Sequence, residues 1–119
     1  MDLSLFVAVY LAFMLKHWLG DYALQNGWMV AGKGRLAPLM AHAGIHAGGT
    51  LIIALLAAPA LWWLALIDLL LHAMIDRTKH LLSRGLLPSM PAYWRAFGAD
   101  QALHQLTHLG FVLAIVLRG

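Results

Sequence analysis

The chain alternates between long apolar runs and short polar breaks. A bilayer core of about 30 Å takes about 20 helical residues to cross. On that measure the runs predict helices over about 3–24, 39–57, 60–82 and 97–117. The first run opens like a signal-peptide core over Leu3 to Leu15, but His17 and Asp21 follow it instead of a small-residue cleavage site. It is therefore expected to be a retained span. Gln25 to Pro38 holds Gly27, Gly32 and Gly34 with Lys33 and Arg35, and reads as a loop. Pro59 marks a very short turn, so the second and third helices form a hairpin. Ser83 to Arg95, with Gly85, Pro88 and Pro91, is a second loop with room for an interfacial turn. The expected fold is all-α: four transmembrane helices bundled in a single domain over residues 1–119.

Composition supports lipid as the solvent. Hydrophobic residues make up 62% of the chain and charged residues 11%, against roughly 25% charged in soluble domains. Eight Lys and Arg with five acidic residues are too few to cover a small soluble core. All five acids are aspartates, and the absence of cysteine excludes disulfides, thiolate ligands and iron–sulfur clusters. The basic balance does not point to nucleic acid, because Lys33, Arg35, Arg77, Lys79, Arg84 and Arg95 lie in or beside the two loops. The positive-inside rule puts those loops in the cytoplasm and both termini outside. Trp18, Trp28 and Trp94 near one side and Trp62 and Trp63 near the other suit interfacial belts.

Ionisable groups within spans cost about 2.5–3.5 kcal/mol each on insertion scales, so each asks for a partner or a use. The first helix offers His17 and Asp21, the second His42 and His46, the third Asp68, His72 and Asp76, and the fourth Asp100, His104 and His108. Residues four apart share a helix face, so each helix directs a polar pair one way. Depth can be counted from the cytoplasmic helix ends at ~1.5 Å per residue. Asp21, His42, Asp76 and Asp100 then fall in a shallow layer, and His17, His46, His72 and His104 about one turn deeper. His108 and Asp68 lie deeper still, as a further ligand, a relay or helix-packing groups. His17-x3-Asp21 with His42-x3-His46 matches His72-x3-Asp76 with Asp100-x3-His104. Two similar hairpins about a pseudo-two-fold axis along the membrane normal are expected.

Imidazole and carboxylate together are the ligand set of zinc, iron or manganese. His17, Asp21, His42, His46, His72, Asp76, Asp100 and His104 are the candidate metal ligands, with zinc favoured. The competing reading is a buried polar network in which histidines and aspartates satisfy one another. Gly44 and Gly48 form a small-x3-small pair facing away from the His42/His46 side, suited to helix packing or a homodimer contact.

The segment His17-Trp18-Leu19-Gly20-Asp21-Tyr22-Ala23-Leu24-Gln25, followed by Lys33, resembles the opening motif of the DUF3307 family of small bacterial membrane proteins. The likeness continues through His42 and His46, His72-x3-Asp76-x2-Lys79 and Asp100-Gln101-x2-His104, nearly the whole chain. The resemblance supports the fold and residue set and supplies no reaction. It helps to single out Gln25, Lys33, Lys79 and Gln101 as substrate-binding candidates, and implies a bacterial inner membrane.

Three functions stay open on these residues. The first is an intramembrane metal-dependent hydrolase with Asp21, Asp76 or Asp100 as ligand or base, acting on a lipid or lipid-linked substrate near the cytoplasmic face. Its ligand types are similar to those of alkaline ceramidase and adiponectin-receptor type membrane hydrolases, which differ in helix number. The second is a di-iron oxidase or hydroxylase, since paired His-x3-His motifs mark desaturase-like enzymes. The third is an oligomeric metal or proton transporter, for which a polar column crossing the whole bilayer is expected.

Overall fold

The structure, a computed structural model, describes residues 1–118. Helix α1 (Leu3–Trp18) is capped by Asp2, whose carboxylate accepts from the Leu5 N–H at 3.1 Å. It runs directly into a wider π-helical turn over Leu19–Ala23, closed by Leu24 N–H donating to Leu19 O at 2.7 Å. A short α2 (Gly27–Ala31), capped by Asn26, crosses the first loop. Then come α3 (Leu36–Ala57), a 3-10 turn over Pro59–Leu61, α4 (Leu64–Leu82) and α5 (Pro91–Arg118).

Several boundaries differ from the sequence reading. The second long helix starts at Leu36 instead of 39, because Pro38 sits in its first turn, where no intrahelical N–H is required. The last starts at Pro91 instead of 97, with proline at the first helical position. The α3–α4 hairpin breaks where expected: Ala58 leaves the helical region, at φ −155° and ψ 77°, ahead of Pro59. Past α4, Gly85 turns the chain at φ +75°, a conformation that suits glycine.

The four long helices pack in a ring in which α1 touches α3 and α5, and α4 touches the same two. Leu3–Ala23, Leu36–Ala57 and Pro59–Leu82 are each long and apolar enough to cross a membrane. α5 is longer, but its first two-thirds carries Arg95, Asp100, Gln101, His104, Gln105 and His108.

The inside of the ring divides by depth. Toward the Pro59 turn it is a conventional apolar core of Val9, Phe13, Leu61, Leu64, Phe111, Val112 and Ile115. Toward the two loops it is polar, and six of the seven histidines are buried there. Leucines cover the outside instead: Leu56 is 83% exposed, Leu106 64% and Leu70 62%. Buried polar and exposed large apolar groups together invert the pattern of a water-soluble domain. Gly44 and Gly48 also face outward, along an apolar groove between α1 and α3.

Candidate metal centre

Four helices deliver the polar side chains to one level by the i, i+4 rule. α1 and its π turn bring His17 and Asp21, α3 brings His42 and His46, α4 brings His72 and Asp76, and α5 brings Asp100 and His104. All are buried except Asp21, whose side chain is 12% exposed. Gly20, in the π turn, lets α1 come close: a Cβ there would collide with the His46 ring.

The imidazoles make all their polar contacts through Nε2, pointed toward the bundle axis. The Nδ1 atoms of His17, His42, His46, His72 and His108 are buried with no hydrogen-bond partner. His46 stacks on His72 with ring centroids 3.8 Å apart, and His72 on His104 at 4.1 Å.

Two carboxylates organise the cluster. Asp21 Oδ1 lies 2.8 Å from His46 Nε2 and 3.2 Å from His42 Nε2, while its Oδ2 lies 3.1 Å from His17 Nε2. Asp76 Oδ1 lies 3.1 Å from His104 Nε2, and its Oδ2 lies 3.4 Å from both His42 Nε2 and His72 Nε2. The two histidine nitrogens are themselves 3.4 Å apart, closing a triangle with equal sides. Donors bound at about 2.0–2.1 Å around a tetrahedral ion stand ~3.3–3.4 Å from one another. The triangle His42–His72–Asp76 therefore has the dimensions of one face of such a site.

Among the described residues, three groups of donor atoms fall within 4.8 Å of one another: Asp21 with His42, His46 and His72; His72 with Asp76 and His104; and His17 with His46 and His108. These buried groups could hold a metal ion. His72 belongs to the first two, so they are adjacent positions sharing one ligand. As arranged, His17 acts as a donor: its Nε2 is 2.9 Å from Gln101 Oε1, which can only accept. Asp100 lies beside this centre, 3.3 Å from His104 Nε2, and receives the Gln101 side-chain N–H at 3.0 Å.

A polar cavity of about 90 Å³ sits over the cluster, lined by Asp21, Tyr22, Gln25, Lys33, Asp76, Lys79, Phe97, Asp100 and Gln101. It has room for about three waters at ~30 Å³ each. Gln25, Lys33, Lys79 and Gln101 come together there with all three candidate catalytic aspartates. Lys33 Nζ reaches Asp76 Oδ2 at 3.2 Å, and Lys79 Nζ stands 4.0 Å from Asp100 Oδ2 and 5.4 Å from the Phe97 ring centroid.

Sequence reasoning missed Lys16 and Thr50, both buried one level below the histidines. Lys16 Nζ donates to Asp68 Oδ2 at 2.8 Å, and Thr50 Oγ1 donates to the same oxygen at 2.5 Å. Lys16 Nζ also lies 2.9 Å from His108 Nε2. A lysine inside an apolar span is itself a signal, since it is stable there only beside an acid. Asp68, Thr50 and His108 are one turn below His72, His46 and His104 on the same faces.

No curated protein and no solved structure matches the chain. The family model described as "Protein of unknown function (DUF3307)" matches residues 9–118, and the chain belongs to that family.

Proposed function

We propose that this chain is an intramembrane metal-dependent hydrolase acting on a lipid or lipid-linked substrate at the cytoplasmic headgroup level. The observation that carries the reading is the ring of imidazole nitrogens, three around each of Asp21 and Asp76, at 2.8–3.4 Å. His42, His46, His72 and His104 with Asp21 and Asp76 are the ligands, zinc the favoured ion, with iron or manganese as alternatives. A bound zinc acidifies coordinated water and polarises a carbonyl or phosphoryl oxygen. Asp100, beside His104 and open to the cavity, is the base that takes the proton. His17 and Gln101 hold each other by hydrogen bond, and Lys33 and Lys79 draw an anionic headgroup over the cluster.

The membrane arrangement supports the same reading. α5 serves as the fourth span beside the three apolar helices, with Leu103, Leu106, Leu113 and Leu117 turned outward. A pseudo-two-fold axis relates the hairpins: His46–Asp21 at 2.8 Å has its counterpart in His104–Asp76 at 3.1 Å. The Lys and Arg loops face the cytoplasm of a bacterial inner membrane and both termini face out. The groove lined by Gly44 and Gly48 is the contact for a second copy.

Elemental analysis of protein purified in detergent without chelator tests the ion, and one or two zinc per chain is expected. Hydrolysis of ester and phosphate lipids, abolished by chelation and restored by zinc, tests the reaction. Metal below one-tenth of stoichiometry after reconstitution defeats both. Stoichiometric iron with an oxygen-dependent lipid product would turn the reading toward the di-iron oxidase. Cysteine labelling of the C-terminus from the cytoplasmic side would reverse the orientation.

A further inference from the structure

The third donor group, His17, His46 and His108, differs from the two above it because a cation meets one of its ring nitrogens, whereas Lys33 meets the second group at a carboxylate oxygen of Asp76, 3.2 Å away. Lys16 reaches in from α1 with its stem against Gly49, where any Cβ would strike the lysine side chain. Its Nζ lies 2.8 Å from Asp68 Oδ2 and 2.9 Å from His108 Nε2, and Lys16 is 6% exposed. An ammonium only donates, so the His108 nitrogen must accept from it. The lone pair that an ion would need is thereby in use.

We propose that Lys16 is a tethered cation filling the deepest of the three donor groups, closing it to metal and confining bound ions to the two groups above; this builds on the metal reading just given. Attachment to α1 gives the ammonium an effective concentration that a free ion does not match. It satisfies Asp68 without any ligand exchange, Thr50 completes that carboxylate, and the Phe13 ring lies beneath at 5.8 Å. An ion arriving from the Lys33/Lys79 cavity thus meets a positive charge at the bottom of the polar column, followed by the apolar core of Phe13, Phe111 and Val112. The column ends there, as a binding pocket requires and a transport path does not.

The test counts zinc per chain in the purified full-length protein after loading with zinc alone and desalting. Wild type is compared with K16Q, which keeps side-chain donors but removes the cation, and with K16Q/D68N, which removes both charges. Size exclusion and helical circular dichroism establish that each is folded. The expected result is one additional zinc per chain in either variant, with His17 leaving its Gln101 contact and turning a lone pair to the ion. A lysine with only a packing role predicts no gain. Unchanged or lower zinc in folded variants, with zinc present in wild type, overturns the inference and leaves the metal reading standing. A wild type without zinc and variants that gain one would defeat the metal reading and support the inference. No zinc in any of the three defeats both.

Discussion

Asp68 and Asp76 sit on the same face of α4, two turns apart and almost equally buried, yet their surroundings are opposite in kind. Asp68 is completed by the chain itself: an ammonium and a hydroxyl donate to one oxygen, at 2.8 and 2.5 Å. Asp76 meets three imidazole nitrogens at 3.1–3.4 Å, with Lys33 approaching from the cavity at 3.2 Å. Its Oδ2 is buried without a properly formed hydrogen bond, as is Asp100 Oδ1. A buried carboxylate is stable when a cation accompanies it. The deep one is completed by Lys16, whereas Asp76 has Lys33 on one oxygen at 3.2 Å and, in addition, imidazole nitrogens that could share an external ion. On the proposed function, Asp68 holds the bundle together and Asp76 serves the metal, two uses of one residue type within a single helix.

The sharpest way to break the comparison is to neutralise each carboxylate in turn. Asp76→Asn keeps the size and one oxygen but loses the charge and basicity. It should leave the helical fold intact, abolish hydrolysis and, because Asp76 is proposed as a ligand, weaken zinc binding by at least about 100-fold, the upper end for groups that only support ligands. Asp68→Asn should do the reverse. It leaves Lys16 buried without its acid, which costs about 3–5 kcal/mol of stability, while zinc affinity stays within about threefold. Zinc competition titration and thermal unfolding in the same detergent read both effects. Retained zinc in D76N with lost zinc in D68N would invert the assignment.

The two glycines that admit neighbouring helices give a smaller contrast. In Gly20→Ala the new methyl meets the His46 ring, which cannot retreat because it stacks on His72 at 3.8 Å. Overpacking of that kind costs about 1–3 kcal/mol, and the displaced ligand should lower zinc affinity about tenfold. In Gly49→Ala the methyl meets Lys16 Cγ, close to the backbone end of a buried side chain whose ammonium is held by Asp68 and His108. A loss of about 1–3 kcal/mol is expected there too, but with zinc binding unchanged. Equal loss of zinc at the two positions would mean that His46 is no closer to the metal centre than Lys16.

Much of this arrangement could be read in the sequence, for a physical reason. Spacing of four residues fixes a helix face, and rise per residue fixes depth, so His17, His46, His72 and His104 could be placed at one level before any coordinates. What spacing does not carry is which nitrogen meets which oxygen. The exchange of His17 to Gln101, and the His42–His72–Asp76 triangle, depend on helix rotation set by packing. The π turn at Leu19–Ala23 has no periodic signature, although Gly20 within it lies against His46. Lys16 escaped because it precedes His17 by one residue, about 100° around the helix, outside the pairs four apart. Gly85, Pro88, Pro91 and Arg95 mark a loop by residue type, yet Pro91 suits the first position of a helix, so α5 begins inside the segment that the sequence reads as loop.

The smallest expected effect marks where the functional cluster ends. Lys79 and Lys33 both line the cavity, but Lys33 is 3.2 Å from Asp76 with its side chain 14% exposed, and Lys79 is 4.0 Å from Asp100 and 30% exposed. At that distance and exposure an ion pair is worth up to about 1 kcal/mol and is screened by salt. Lys79→Met should therefore change thermal stability by less than ~1 kcal/mol, and less again in high salt. The methionine still packs on Phe97, so the cavity wall is kept. Zinc affinity should stay within about twofold, because Asp100 keeps its hydrogen bond from Gln101 and is held at 3.3 Å from His104. Turnover of an anionic lipid should show a raised KM with kcat nearly unchanged, the mark of lost binding without lost chemistry. Loss of zinc in this variant would extend the metal centre outward to Asp100 and Lys79, and the line drawn between ligands and headgroup contacts would have to move.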